Sequence, residues 1–152
     1  MTRTPQQVAA HHAEALGVAD LDGIVSDFAE DAVMISPVGV RRGKEGIRGA
    51  FRQLIADLPD AAWHVRKQTF GGDVLLMEWA ADAAKSRADD GVDTFVFRDG
   101  MIQAWVHHYA PIHVPDQALI GHPMQARALS TNAVEQAFLD TQRAGSIRTR
   151  KV

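Results

Sequence analysis

The chain has 152 residues, enough for one domain with its own hydrophobic core. Apolar residues make up 46% of it, and the net charge of −3 argues against a nucleic-acid partner, since nucleic-acid-binding domains usually carry a basic face. The absence of cysteine excludes disulfide bonds and thiolate chemistry. No stretch approaches the roughly 20 apolar residues of a membrane span. Residues Met1–Ala10 also lack the apolar run of a signal peptide, so we expect a cytoplasmic protein with no membrane partner.

The N-terminal part of the chain predicts two helices. Over Gln6–Leu16, the positions Val8, His12 and Leu16 recur at four-residue steps, which is the spacing of one helix face. Asp20 can cap a second, short helix, because its carboxylate accepts from the free backbone amides of a first turn. The apolar inner face of that second helix consists of Leu21, Ile24, Val25 and Phe28.

A short strand and a third helix follow. Ala32–Ser36 is a predicted strand, and we expect a small hairpin or loop over Val38–Arg42. Lys44–Leu58 returns to the helical period, and Pro59 ends this helix. Its apolar stripe is Ile47, Phe51, Leu54, Ile55 and Leu58.

From residue 62 onward the hydrophobic pattern changes to the period of two that is typical of strands. Four strands are predicted, over Ala62–Phe70, Val74–Ala84, Val92–Arg98 and Met101–Tyr109. The predicted turns between them are Gly71-Gly72-Asp73, Asp89-Asp90-Gly91 and Asp99-Gly100, of which the last is a strong hairpin signal. Helices followed by a run of antiparallel strands indicate an α+β fold, with a curved sheet wrapped around three N-terminal helices.

The C-terminal part, residues 111–152, is predicted to be an extension of a cone domain that spans residues 1–110. Pro111–Gln125 lacks a regular pattern. A last helix is predicted from about Asn132 to Arg143, because Asn132 and Glu135 have the spacing of a capping box. We expect this helix to pack on the domain or on a partner subunit.

Five short stretches form a recognisable combination. Asp20–Val25, Phe28–Val33 and Pro37-Val38-Gly39 resemble the opening of bacterial ketosteroid isomerases. Arg42–Ile47 and Phe95–Ile102 are similar to the third-helix entry and the last hairpin of the nuclear-transport-factor-two-like superfamily, which includes SnoaL-like polyketide cyclases. The resemblance implies a cone around one mostly apolar pocket, a homodimer, and chemistry that needs no cofactor.

The resemblance carries over to only one of the three ketosteroid isomerase site residues. The family's oxyanion-donating tyrosine corresponds to His12. Its general base, an aspartate, corresponds to Ser36, whose neutral hydroxyl is a very weak base. Its second oxyanion donor, an aspartic acid held protonated by an apolar site, is matched by Asp93.

His107 is the candidate that replaces the missing base, because imidazole takes up and returns a proton near neutral pH. Trp105, His107 and Tyr109 share one face of the last strand. A three-residue hairpin loop would place Asp93 opposite Trp105, whereas a two-residue loop would pair Asp93 with Val106 and turn His108 inward. We favour the inward His107, because the alternative would turn Trp105 and Tyr109 outward.

Asp93 has more than one interpretation. A buried carboxyl must be paired or protonated, so Asp93 either forms a dyad with His107 or donates to a substrate carbonyl as a neutral acid. It can also be an ordinary strand aspartate. His11 is expected to be solvated, and no metal is expected, because the adjacent His107 and His108 point to opposite faces of a strand.

The remaining predicted pocket lining suits a flat, largely apolar ligand with a few polar groups. It comprises Met34, Ser36, His64, Met77, Trp79, Phe95, Trp105 and Tyr109. The face on which His64 lies is not determined by the pattern, and the large apolar side chains can equally be core.

These residues predict cofactor-independent acid/base catalysis on a small hydrophobic carbonyl compound such as a steroid or polyketide. The reaction would be an isomerisation, cyclisation or dehydration, as in an isomerase or lyase. His107 would be the base, with Asp93 and His12 as donor or orienter. A non-catalytic small-molecule binding module is the alternative, because Ser36 stands where the family has its base, and a structural dimer with an incidental pocket is a third possibility.

Overall fold

The computed structural model describes residues 1–115. The helices are α1 (Pro5–Gly17), α2 (Leu21–Ser26) and α3 (Gly43–Asp57), and β1 (Phe28–Ser36) and β2 (Gly39–Arg42) lie between α2 and α3. The later strands are β3 (Ala62–Gly71), β4 (Val74–Asp82), β5 (Ser86–Arg98), β6 (Met101–His108) and β7 (Ile112–His113). Phe28 belongs to β1 rather than to the second helix, and β7 lies where no regular element was predicted. The predicted C-terminal helix lies outside the described residues.

The strands form one mixed sheet in the order β2-β1-β6-β5-β4-β3, with β7 paired to β5. All pairs are antiparallel except β1 and β6. The helices bury one face each against this curved, unclosed sheet, and the α+β fold class predicted from the sequence is confirmed. The centre of the core is aromatic, and Phe28, Phe51, Phe95 and Trp105 are all buried in it.

The helix boundaries follow from local chemistry. Thr4 and Gln7 form a capping box at the start of α1, with Pro5 as its first residue. The Asp20 carboxylate accepts from the Gly23 amide at 3.0 Å and so caps α2, as its position predicted.

The predicted turn at Asp89-Asp90-Gly91 is wrong. These residues lie inside β5, and the chain turns earlier, between Asp82 and Ser86. The register skips one residue of β5 between the pairs Trp79–Gly91 and Ala81–Ala88, so the two aspartates form a bulge. Gly91 is required here for packing, because a Cβ at this position would overlap the Trp79 ring.

The last hairpin has a two-residue loop and a bulge, a combination that neither predicted register included. Asp99 and Gly100 both have positive φ, 52° and 74°, as a tight hairpin loop requires. Gln103 is the extra residue in β6, since Phe97 pairs with Ile102 and Val96 with Ala104. The bulge shifts the register by one residue, so that Asp93 pairs directly with His107.

The outer face of the sheet carries exposed apolar side chains. Ile35 is paired with both Val40 and Val106, and these three are 46%, 56% and 46% exposed. Such a face suits the homodimer that the resemblance implies, which stays a prediction. Within residues 1–115, no helix is long and apolar enough to span a membrane.

Candidate active site

His107 and Asp93 form a buried pair on neighbouring strands. They are 5% and 6% exposed, and Nδ1 of His107 is hydrogen-bonded to Oδ1 of Asp93. The indole Nε1–H of Trp79 donates to the other carboxylate oxygen of Asp93 at 3.0 Å. A carboxylate only accepts hydrogen bonds, so a pair of ionised Asp93 and neutral His107 has the imidazole proton on Nδ1 and the lone pair on Nε2. Of the two interpretations of a buried Asp93, the geometry therefore favours the dyad.

The Nε2 atom of His107 is buried and has no hydrogen-bond partner among residues 1–115. The same holds for the Oγ atom of Ser36. Buried polar atoms are normally paired, and unpaired ones in a native protein often mark a functional site. Both residues line one cavity, which we call the large cavity.

The large cavity has a volume of about 470 Å³. Its walls are the end of β1 with the following turn, one face of α3, and the end of β6 with the residues after it. Met34, Ser36 and Tyr109 of the predicted lining are here. The volume is in the range of pockets that hold small organic molecules.

A second cavity, which we call the small cavity, lies between α1, α3 and strands β3 to β5. It is lined by the remaining predicted residues except Trp105, namely His12, His64, Met77, Trp79, Asp93 and Phe95. Its volume is about 60 Å³, room for only a few water molecules.

The prediction of one pocket is therefore wrong, because the interior is divided. Trp105 lines neither cavity. Its ring stacks on Phe51, with centroids 4.5 Å apart, and contacts the His107 ring at 4.3 Å. Because Phe51 lines the small cavity and His107 the large one, Trp105 belongs to the wall between them.

His12 lies on the small-cavity side of this wall. Its ring meets the edges of Phe28, Phe51 and Phe95 at centroid distances of 5.3–5.6 Å. Burial lowers the pKa of His12 to about 4, an effect that the nearby Asp27 carboxylate only partly offsets. His12 is therefore neutral at pH 7, and it does not line the cavity that contains the free Nε2 of His107.

Two other histidines have defined places. The His64 side chain is 55% exposed, lies at the rim of the small cavity and has its Nε2 3.2 Å from Asp82. His11 was expected to be solvated, and its side chain is 48% exposed, with Nδ1 2.8 Å from Oδ2 of the fully buried Asp27. Arg3 forms an ion pair with Asp27 at 2.6 Å. Among residues 1–115, no cluster of three or more histidines and acids is placed to hold a metal ion.

Asp57 is a site residue that the sequence reasoning missed. It lies at the end of α3, lines the large cavity and accepts a 2.5 Å hydrogen bond from the Tyr109 hydroxyl. Burial and this carboxylate both raise the pKa of Tyr109. The sequence contains an indication of this role of Asp57, because Ala50, Gln53 and Asp57 are spaced to share one side of the helix.

The sequence and the fold were compared with known proteins. The SnoaL-like domain family matches residues 8–105, which is more than half of the chain. No curated protein matches the sequence.

Several solved structures share the fold. Wild-type IdmH, a proposed polyketide cyclase from Streptomyces antibioticus, is 21% identical with a TM-score of 0.59, over 69% of this chain and 91% of that one. A SnoaL-like protein of unknown function from Burkholderia thailandensis is 24% identical with a TM-score of 0.58, over 69% and 93%. An NTF2-like protein of unknown function from Cytophaga hutchinsonii is 13% identical with a TM-score of 0.60, over 72% and 93%. At these identities the likeness to solved structures shows the fold alone, and the family match establishes that this chain belongs to the SnoaL-like domain family.

Proposed function

We propose that the protein catalyses a cofactor-independent acid/base reaction on a small hydrophobic carbonyl compound in the large cavity. The observation that carries this proposal is the His107–Asp93 dyad, whose free Nε2 is buried at a cavity of about 470 Å³. A histidine that only filled the core would not need a carboxylate partner on one ring nitrogen and an unpaired second nitrogen at a cavity.

In this proposal His107 is the general base. Asp93 fixes the tautomer that presents Nε2 to the substrate and stabilises the imidazolium that forms when Nε2 takes a proton. Trp79, which donates to the second oxygen of Asp93, keeps the carboxylate in place. The dyad on β5 and β6 thus supplies a base in place of the aspartate that ketosteroid isomerases have at the position of Ser36.

Ser36 then has a different task. Its Oγ is buried without a partner among the described residues, and it lines the same cavity as His107. A hydroxyl donates as readily as it accepts, so Ser36 can donate to the oxygen of an enolate. A base and an oxyanion donor at one cavity are what removal of a proton next to a carbonyl requires.

Isomerisation, cyclisation and dehydration of carbonyl compounds all begin with such a proton removal. The likeness to IdmH and to a proposed polyketide cyclase from Sinorhizobium meliloti supports a substrate of polyketide type. The steroid isomerase version of the reaction has less support, since His12 lies outside the large cavity.

The test is exchange of α-hydrogens for deuterium in heavy water, followed by NMR with 2-tetralone, a flat and enolisable ketone. We expect exchange with the wild type and a loss of roughly a hundredfold to ten-thousandfold in His107→Gln. Binding of the ketone, measured by calorimetry, should be nearly unchanged. His113→Gln is the matched control, because His113 is exposed on β7 and lines neither cavity.

Two results would overturn the proposal. Equal exchange in the wild type and His107→Gln would remove His107 from the reaction, and a parallel loss in His64→Gln would then point to the rim of the small cavity. Tight ketone binding without exchange would favour the non-catalytic binding module. That alternative follows from Ser36, which stands where ketosteroid isomerases have their general base.

A further inference from the structure

Among residues 1–115, one arginine and no lysine lines the large cavity. Arg41 lies on β2 and lines this cavity together with Ser36 and His107. Its register partner is Met34, which is buried and lines the same cavity. Paired residues of neighbouring strands point to the same face, so Arg41 points toward α3 although β2 is a short, exposed strand.

Two glycines of α3 leave room for this side chain. A Cβ at Gly46 would lie 3.2 Å from the Cβ of Arg41, and a Cβ at Gly49 would lie 2.8 Å from its Nη1. The Arg41 side chain therefore lies along the helix surface at Gly46 and Gly49, with the guanidinium next to Gly49. No residue among 1–115 forms an ion pair with it, whereas the neighbouring Arg48 is paired with Asp22 at 2.7 Å.

The charges of the cavity are separated along α3. Asp57 lies eight residues beyond Gly49, which is about 12 Å along the helix axis. Its carboxylate already accepts from Tyr109 at 2.5 Å. The His107 ring contacts Trp105, which stacks on Phe51, and Tyr109, which binds Asp57. Through these rings His107 is connected to Phe51 and Asp57 of α3, and it shares the cavity with Arg41.

We infer that the substrate of the large cavity is a carbonyl compound with a carboxylate several carbon atoms from the enolisable position, held by Arg41. This inference rests on the proposed function, because it concerns the substrate of the same site. A guanidinium binds a carboxylate through two parallel hydrogen bonds, which fixes its orientation as well as its position. The Asp57 carboxylate repels the same group, so the acid end can bind in one direction only.

The test compares 4-acetylbenzoate with its methyl ester, two rigid ketones that differ in charge. Binding of each is measured by calorimetry, and deuterium exchange of the acetyl group by NMR. We expect the wild type to bind the acid more tightly, and Arg41→Gln to weaken acid binding about 10- to 100-fold while ester binding stays the same.

Arg42→Gln is the matched control, since Arg42 is the next residue, is exposed and points to the opposite face of β2. It removes the same charge and should leave the affinity for the acid unchanged. Equal losses in Arg41→Gln and Arg42→Gln would overturn the inference in favour of general charge attraction, as would equal affinities of the wild type for acid and ester.

Gly49→Ala gives a second test that does not depend on removing the arginine. Alanine favours the helix more than glycine does, so the melting temperature should stay level or rise. The added Cβ displaces the guanidinium and should weaken binding of the acid but not of the ester. An unchanged affinity for the acid would show that Arg41 does not act from its place over α3.

The two proposals fail in different ways. If the acid binds through Arg41 but shows no exchange in the wild type, the base assignment is wrong and the carboxylate site stands. If exchange depends on His107 but acid and ester bind and react alike, the base stands and the carboxylate site is wrong.

Discussion

The two cavities of this protein lie on the same face of one sheet, yet they differ in volume and in the polar groups that line them. The small cavity contains the His12 and Asp93 side chains that the family motifs point to, and aromatic rings reduce it to about 60 Å³. The large cavity has about 470 Å³ and contains two buried polar atoms without hydrogen-bond partners among the described residues, whereas the small cavity has one, Nδ1 of His12.

The proposed site uses a different cavity from the one that the resemblance implies. The dyad crosses the wall, because Asp93 lines the small cavity and its partner His107 lines the large one. The carboxylate therefore lies on the side of Trp105 that the resemblance implies, while the base proposed above faces the other cavity. If His107 is the base, motif positions alone would place the reaction on the wrong side of Trp105.

The largest expected effect comes from breaking the dyad that connects the two cavities. In Asp93→Asn the amide can donate to Nδ1 of His107, which moves the imidazole proton to Nε2 and removes the lone pair from the large cavity. We expect α-deuterium exchange to fall by about a hundredfold or more, with little change in ketone binding.

Trp79→Phe is the companion variant, because it removes one donor to Asp93 and keeps a ring against Gly91. Its loss of exchange should be smaller than that of Asp93→Asn. An Asp93→Asn protein that folds, binds the ketone and exchanges at the wild-type rate would separate the dyad from the reaction.

The next effect concerns the small cavity and is a change in stability with pH. The pKa of His12 is about 4 in the folded protein and near 6.5 in the unfolded chain, so between these values only the unfolded chain takes the proton. The folded state therefore loses stability as the pH falls from 6.5 toward 4, by about 3 kcal/mol from this group.

His12→Leu should remove that contribution. Urea unfolding at pH 7.0 and 4.5 measures it, and the gap between the two pH values should be smaller in the variant than in the wild type. If the free energy of unfolding changed by the same amount between pH 7.0 and 4.5 in both proteins, His12 would be protonated in the folded protein at pH 4.5. Exchange activity at pH 7 should change little, because His12 does not line the large cavity.

A smaller effect should come from filling each cavity in turn. Ala50 lines the large cavity and Ala9 the small one, and both lie on helices. Ala50→Leu should weaken 2-tetralone binding about tenfold, whereas Ala9→Leu should change thermal stability and leave affinity as it is. Loss of affinity in Ala9→Leu alone would place the ligand in the small cavity.

Much of the fold could be predicted because it depends on local patterns. The four-residue steps of α1, the Asp20 cap and the Asp99-Gly100 loop each depend on neighbours within one turn of chain. The turn at Asp89–Gly91 failed because glycine can stand in a strand for a reason that is not local. Here the reason is the Trp79 ring on the neighbouring strand.

The candidate site, like the fold, could be predicted only where it depends on local patterns. Alternation along β6 by itself determined that Trp105, His107 and Tyr109 share a face, and the chemistry of imidazole made His107 the candidate base. Only the tertiary structure decided that the Gln103 bulge pairs Asp93 with His107 and that the aromatic core divides one pocket into two. A bulge adds one residue wherever packing allows it, and a cavity is the space that distant side chains leave unfilled. Neither the position of a bulge nor the shape of a cavity is a property of any one stretch of sequence.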